Sequence, residues 1–81
     1  GDAYTGIAFI AGINFQGTGL TAGQRLLITD TAGDPIADYI TEGTSDNADL
    51  INGREPCLGY QGVKIAAGTP AGTWVVTIVL G

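Results

Sequence analysis

The chain reads as an all-β domain, a small antiparallel β-sandwich or barrel of five to six strands. Three observations predict this. Apolar and small or polar residues alternate with period two from Tyr4 to Gln16, as on a half-buried strand. The connections between apolar stretches are short and rich in Gly, Asp and Pro, which are turn residues. Between Gly72 and Gly81 lie eight residues, six of them large and apolar and four of them Val or Ile. β-branched side chains are stiff at χ1 and fit a pleated surface better than a helix. Strands joined by tight turns, with no helical period between them, build sandwiches or barrels.

Gly1-Asp2-Ala3 reads as a loose start. In the first strand Ile7, Phe9, Ala11, Ile13 and Phe15 alternate with Ala8, Ile10, Gly12, Asn14 and Gln16. Gly12 interrupts the pattern, so a bulge or bend is expected there. A helix is a poor alternative because Gly6, Gly12 and Gly17 would each cost about 1 kcal/mol relative to alanine. After the turn at Gln16-Gly17-Thr18-Gly19, a second strand is expected over Gln24–Thr31, with Leu26 and Ile28 on one face. Asp30-Thr31-Ala32-Gly33-Asp34-Pro35 is a tight connection, and Pro35 should open the next strand or lie on an edge. Residues 36–41 complete a hairpin with residues 24–31. Asp38, between Ile36 and Ile40, is expected to pair with Arg25 across that hairpin or to guard an edge.

Residues 42–56 read as a long polar loop, with one helical turn over Ala48, Leu50 and Ile51 capped by Ser45 or Asp46. Residues 58–66 form the next strand. The turn over residues 67–72 then leads into the final strand, 73–80, as its antiparallel neighbour. On that last strand Trp74, Val76, Ile78 and Leu80 form a wholly apolar face. Thr73, Val75, Thr77 and Val79 form a second, half-apolar one. Both faces therefore need cover, which predicts a central strand or a subunit interface.

The whole chain, 1–81, makes one domain. A domain this small buries only about 60–65% of its unfolded surface, so it is marginal without disulfides, metals or oligomerisation. Cys57 is the sole cysteine and there is no histidine, which leaves oligomerisation. Charged residues are 14% of the chain against a usual ~25%, so much of the surface is uncharged. Net charge is −5, with Arg25, Arg54 and Lys64 as the cations. Three scattered cations do not make a nucleic-acid or anionic-membrane surface. No apolar run reaches the ~20 residues of a spanning helix. No signal peptide is visible, and a lone thiol fits folding in a reducing cytosol. Gly1 in place of Met implies removal of an initiator or cutting of a precursor.

Candidate chemistry is sparse. Asp46, Asn47, Asp49 and Asn52 offer oxygen ligands, and Asp46 and Asp49 are the metal candidates, but the spacing is not that of an EF-hand loop. Asp30 and Asp34 are explained by turns. A glycosidase would need two carboxylates across a cleft, which nothing here predicts. Tyr39, Tyr60 and Trp74 could stack on a sugar, although a Trp at the head of an apolar strand belongs to a core. Cys57 lacks a histidine base for nucleophilic work and reads as a small buried hydrophobe. No cofactor is expected.

Three segments together carry a resemblance: Tyr4-Thr5-Gly6 with the Ile/Phe alternation, Leu27–Ala37 with its Asp-Thr-Ala-Gly-Asp-Pro turn, and Gly62–Gly68 running into Gly72–Ile78. Their order resembles small β-sandwich structural proteins of tailed bacteriophages that decorate or cement a capsid. The resemblance implies a non-enzymatic virion subunit made in the host cytoplasm. Its partner would be the major capsid protein or further copies of itself, with homo-oligomers expected. Tyr4, Ile7, Phe9, Val75 and Val79 are the candidate subunit-interface residues. The alternatives are a small carbohydrate-binding β-module using Tyr39, Tyr60 or Trp74, and an extracellular filament subunit that donates a strand.

Overall fold

The computed structural model describes residues 2–53 and 57–81, with side chains from Tyr4 onward. These residues form six antiparallel strands and no helix: β1 (Asp2–Thr18), β2 (Arg25–Thr29), β3 (Pro35–Ile40), β4 (Ser45–Ile51), β5 (Leu58–Ile65) and β6 (Thr73–Leu80). They make one sheet, curled into a half-barrel, in the order β3-β2-β5-β1-β4, with β6 also paired to β1. Ile10 pairs with both Leu58 and Leu80, and Ile13 with both Ile51 and Ile78. A residue has only two edges, so β5 and β4 lie end to end along one edge of β1 and β6 lies along the other. The long first strand is thus the axis of the molecule.

β1 shifts register against β6 between Ile10 and Gly12, and against β4 between Ile13 and Asn14. This is the bulge expected at Gly12, and it reverses the facing of the strand. Before it Ala8 and Ile10 are buried; after it Ile13 and Phe15 are. A single alternation over 7–15 therefore assigns Ile7 and Phe9 to the wrong face. The core that Ala8, Ile10, Ile13 and Phe15 join holds Leu20, Leu26, Ile28, Ile51 and Val63, with Tyr39, Trp74, Val76 and Ile78 packed against it.

The β2–β3 hairpin forms as the sequence predicts, and Pro35 opens β3, an edge strand. Thr41, buried just past β3, ties the hairpin to the β1–β2 connection. Its hydroxyl donates to the Thr21 carbonyl at 2.6 Å and accepts from the Gln24 amide at 2.9 Å. Thr41→Val keeps the shape and orphans both groups. It is expected to lower stability by about 1–3 kcal/mol, measured by urea unfolding.

Four expectations are corrected. Asp2 and Ala3 belong to β1 and are not a loose start. Residues 45–51, read as loop with a helical turn, form β4: Asp46, Ala48 and Leu50 are half-buried while Ser45, Asn47 and Asp49 are exposed, which is period two. Within that polar stretch, residues 54–56 lie outside the described residues. β5 and β6 are not neighbours, since β5 pairs with β1 and β2 while β6 pairs with β1. β6 is an edge strand, and the central strand is β1.

Candidate functional site

Residues 4–18 of β1 and all of β6 carry no charged side chain, whereas Asp38 sits on β3, Asp46 and Asp49 on β4, and Asp30, Asp34 and Glu42 in turns. On the outer face of this uncharged region Ile7 is 61% exposed, Phe9 53%, Val75 61% and Val79 55%. The Gly81 amide donates to the Phe9 carbonyl at 2.8 Å, and Gly12 pairs with Val79. Phe9 and Val79 are therefore diagonal neighbours, and Ile7, Phe9, Val79 and Val75 form one strip interrupted by Thr77. The Phe9 ring lies over Gly59 of β5, where a Cβ would come within 2.9 Å of it.

Tyr4 is not part of this strip. The register slips between Tyr4 and Ile7, and Tyr4 faces the concave side, where it lines an apolar cleft with Ala8, Val63, Ile78 and Leu80. Leu80 is 57% exposed there, although its place on the apolar face of β6 reads as core. Leu58 and Ile40, half exposed, were likewise not among the sequence candidates. The missed signal was geometric. Leu58 and Leu80 flank Ile10 on the concave face, at the end of the half-barrel that the β2–β3 hairpin does not roof.

The remaining candidates are engaged elsewhere. Tyr39 and Trp74 both pack against the Phe15 ring, at centroid distances of 5.3 and 5.9 Å. The Trp74 indole N–H donates to the Pro70 carbonyl at 3.0 Å, and the Tyr39 hydroxyl donates to Asp46 at 2.6 Å. Tyr60 is half-buried and packs on the core. No stacking platform is assembled from these three. Asp46 faces inward, while Asp49 faces outward and accepts from the Asn14 amide at 2.9 Å. As β4 puts the two carboxylates on opposite faces, they cannot share an ion. Among the described residues no group of three or more His, Cys, Asp or Glu converges.

Asp38 pairs with Arg25 at 2.8 Å, bidentate and exposed. The hydrogen bonds from Arg25 hold the Asp38 carboxyl below its ordinary range. Asp30 accepts from the Ala32 and Asp34 amides and so closes the β2–β3 turn. Burial, then the hydrogen bond to Asp46 and the nearby carboxylate charges, push the Tyr39 phenol up to about 12. The sign follows from linkage. The fold favours the protonated phenol, so this stabilisation is complete below the ordinary pKa near 10 and is lost as pH rises through about 12. An ultraviolet titration should show one tyrosine ionising near the upper value, and Asp46→Asn should bring it down.

Comparison with protein-family models, with curated proteins and with solved structures found no match to this chain.

Proposed function

We propose that this chain is a non-enzymatic structural subunit of a phage virion, a capsid decoration or cement protein that acts through sheet packing and strand pairing. The observation that carries the reading is the uncharged outer strip of Ile7, Phe9, Val75 and Val79, beside a sheet edge that no strand among the described residues covers. An exposed apolar strip with no charge on a small acidic domain marks an interaction site. Its lack of charge lets it meet a neighbour without opposing the net −5 of the chain. The carboxylates that could have served as acids or bases support the reading, since Asp38 and Asp46 are tied into ion-pair and phenol contacts.

The test is co-sedimentation with shells assembled from the genome that encodes the chain. Saturable binding at a fixed ratio to the major capsid protein is expected. Phe9→Lys, which leaves the core untouched, should abolish binding while the circular dichroism spectrum stays unchanged. A chain that remains in the supernatant at every ratio counts against the proposal, as does a Phe9→Lys variant that binds equally well.

A further inference from the structure

The free edge of β6 has a fixed hydrogen-bonding phase. The Gly81 amide points at Phe9 of β1, and N–H and C=O groups alternate sides along an antiparallel strand. Val79, Thr77 and Val75 therefore bond to β1, while Trp74, Val76, Ile78 and Leu80 turn their backbone groups outward, where no strand among the described residues pairs with them. The other outer strands carry protection against such pairing: Pro35 and Asp38 on β3, Asp46 and Asp49 on β4. The uncovered first half of β1 is broken by two register shifts. β6 has no proline, no charge and no bulge, which is the pattern of an edge meant to pair.

We propose that the occupant of this edge is β6 of a second copy, antiparallel across a two-fold axis at Thr77. Only one centre lets all four outward-turned residues pair among themselves: Trp74 with Leu80 of the second copy, and Val76 with Ile78, each pair counted twice. This gives about eight backbone hydrogen bonds. The same register sets Val75 against Val79 on the outer face and Thr77 against itself. Moving the axis to Val76 would set Leu80 against Gly72, and moving it to Ile78 would carry the partner of Trp74 past Leu80, the last residue of β6. The paired register covers the side chains the fold leaves bare, as Leu80 meets an indole and Val75 meets Val79. Neither strand brings a charge, so two acidic chains can join here. This deepens the assembly reading and rests on it.

Disulfide trapping tests the register. In a non-hydrogen-bonded antiparallel pair the Cα atoms stand about 4.5 Å apart, within disulfide reach. Thr77 is exposed, so Thr77→Cys leaves the core alone. Under mild oxidant T77C should form a 77–77 link on the order of a hundred-fold faster than V75C links to itself, because a held pair reacts at millimolar effective concentration. V75C mixed with V79C should link to each other. Trypsin separates position 77 from Cys57 by cutting after Lys64, so peptide mapping identifies the bond. T77C no faster than V75C, with no V75C–V79C product, overturns the inference. Native mass and shell co-sedimentation on the wild-type protein distinguish the failures: a monomer or an unlinked oligomer that still binds shells refutes the β6 pairing alone, whereas a monomer that also stays in the supernatant refutes the assembly reading as well.

Discussion

Phe15→Ala is expected to cost the chain a large part of its stability at room temperature. Phe15 is fully buried in the second half of β1, between the Tyr39 and Trp74 rings. Removing a buried phenylalanine side chain costs about 3–5 kcal/mol, the lost transfer energy plus the cavity left behind. The total stability of a chain of this length is about 4–12 kcal/mol. The loss falls hardest here because Phe15 is where the β2–β3 hairpin, through Tyr39, meets the β1–β6 pair, through Trp74. Urea unfolding followed by Trp74 fluorescence checks it. Phe15→Leu, which keeps most of the volume, should retain a cooperative transition at a lower midpoint.

Gly72→Ala should rank second. Gly72 leads into β6 with φ at +98°, a region closed to side chains. A Cβ there would stand 2.6 Å from the Gly19 carbonyl oxygen and 2.7 Å from that of Thr18, both backbone atoms that cannot swing away. The strained φ alone costs about 1–3 kcal/mol, and the clash adds to it by prising β6 from the end of β1. Gly33→Ala separates the two effects. It has a similar φ of +94° and nothing within 4 Å of its Cβ, so it should show the backbone cost only. Calorimetric melting of both variants gives the comparison.

The strands were legible where side chains alternate and turns carry Gly, Asp or Pro. Residues 73–80 and the hairpin closed by Asp30 and Pro35 are local features, and the Arg25–Asp38 pair follows from the hairpin register. β4 was hidden because Ser45, Asp46, Asn47 and Asp49 have poor strand propensity. Its pairing with the second half of β1, 27 to 38 residues away in the chain, overrides that preference. The neighbours of β6 were not legible either, because which strand pairs with which is settled by the long β1 and not by sequence adjacency. Of the interface candidates, Ile7, Phe9, Val75 and Val79 share one face, while a register slip sends Tyr4 to the other. That slip falls beside Gly62, whose φ of +79° marks the opposing turn of β5, and no alternation count reveals it.

Hydrogen exchange along β6, read amide by amide, tests most directly the claim that a second copy completes this sheet. The amides of Val75, Thr77 and Val79 bond to β1 and should be protected at any concentration. Those of Val76, Ile78 and Leu80 face outward and should be protected in concentrated solution and lose that protection on dilution. Fast exchange of these three at every concentration, beside slow exchange of their odd-numbered neighbours, would show an edge that no second copy covers.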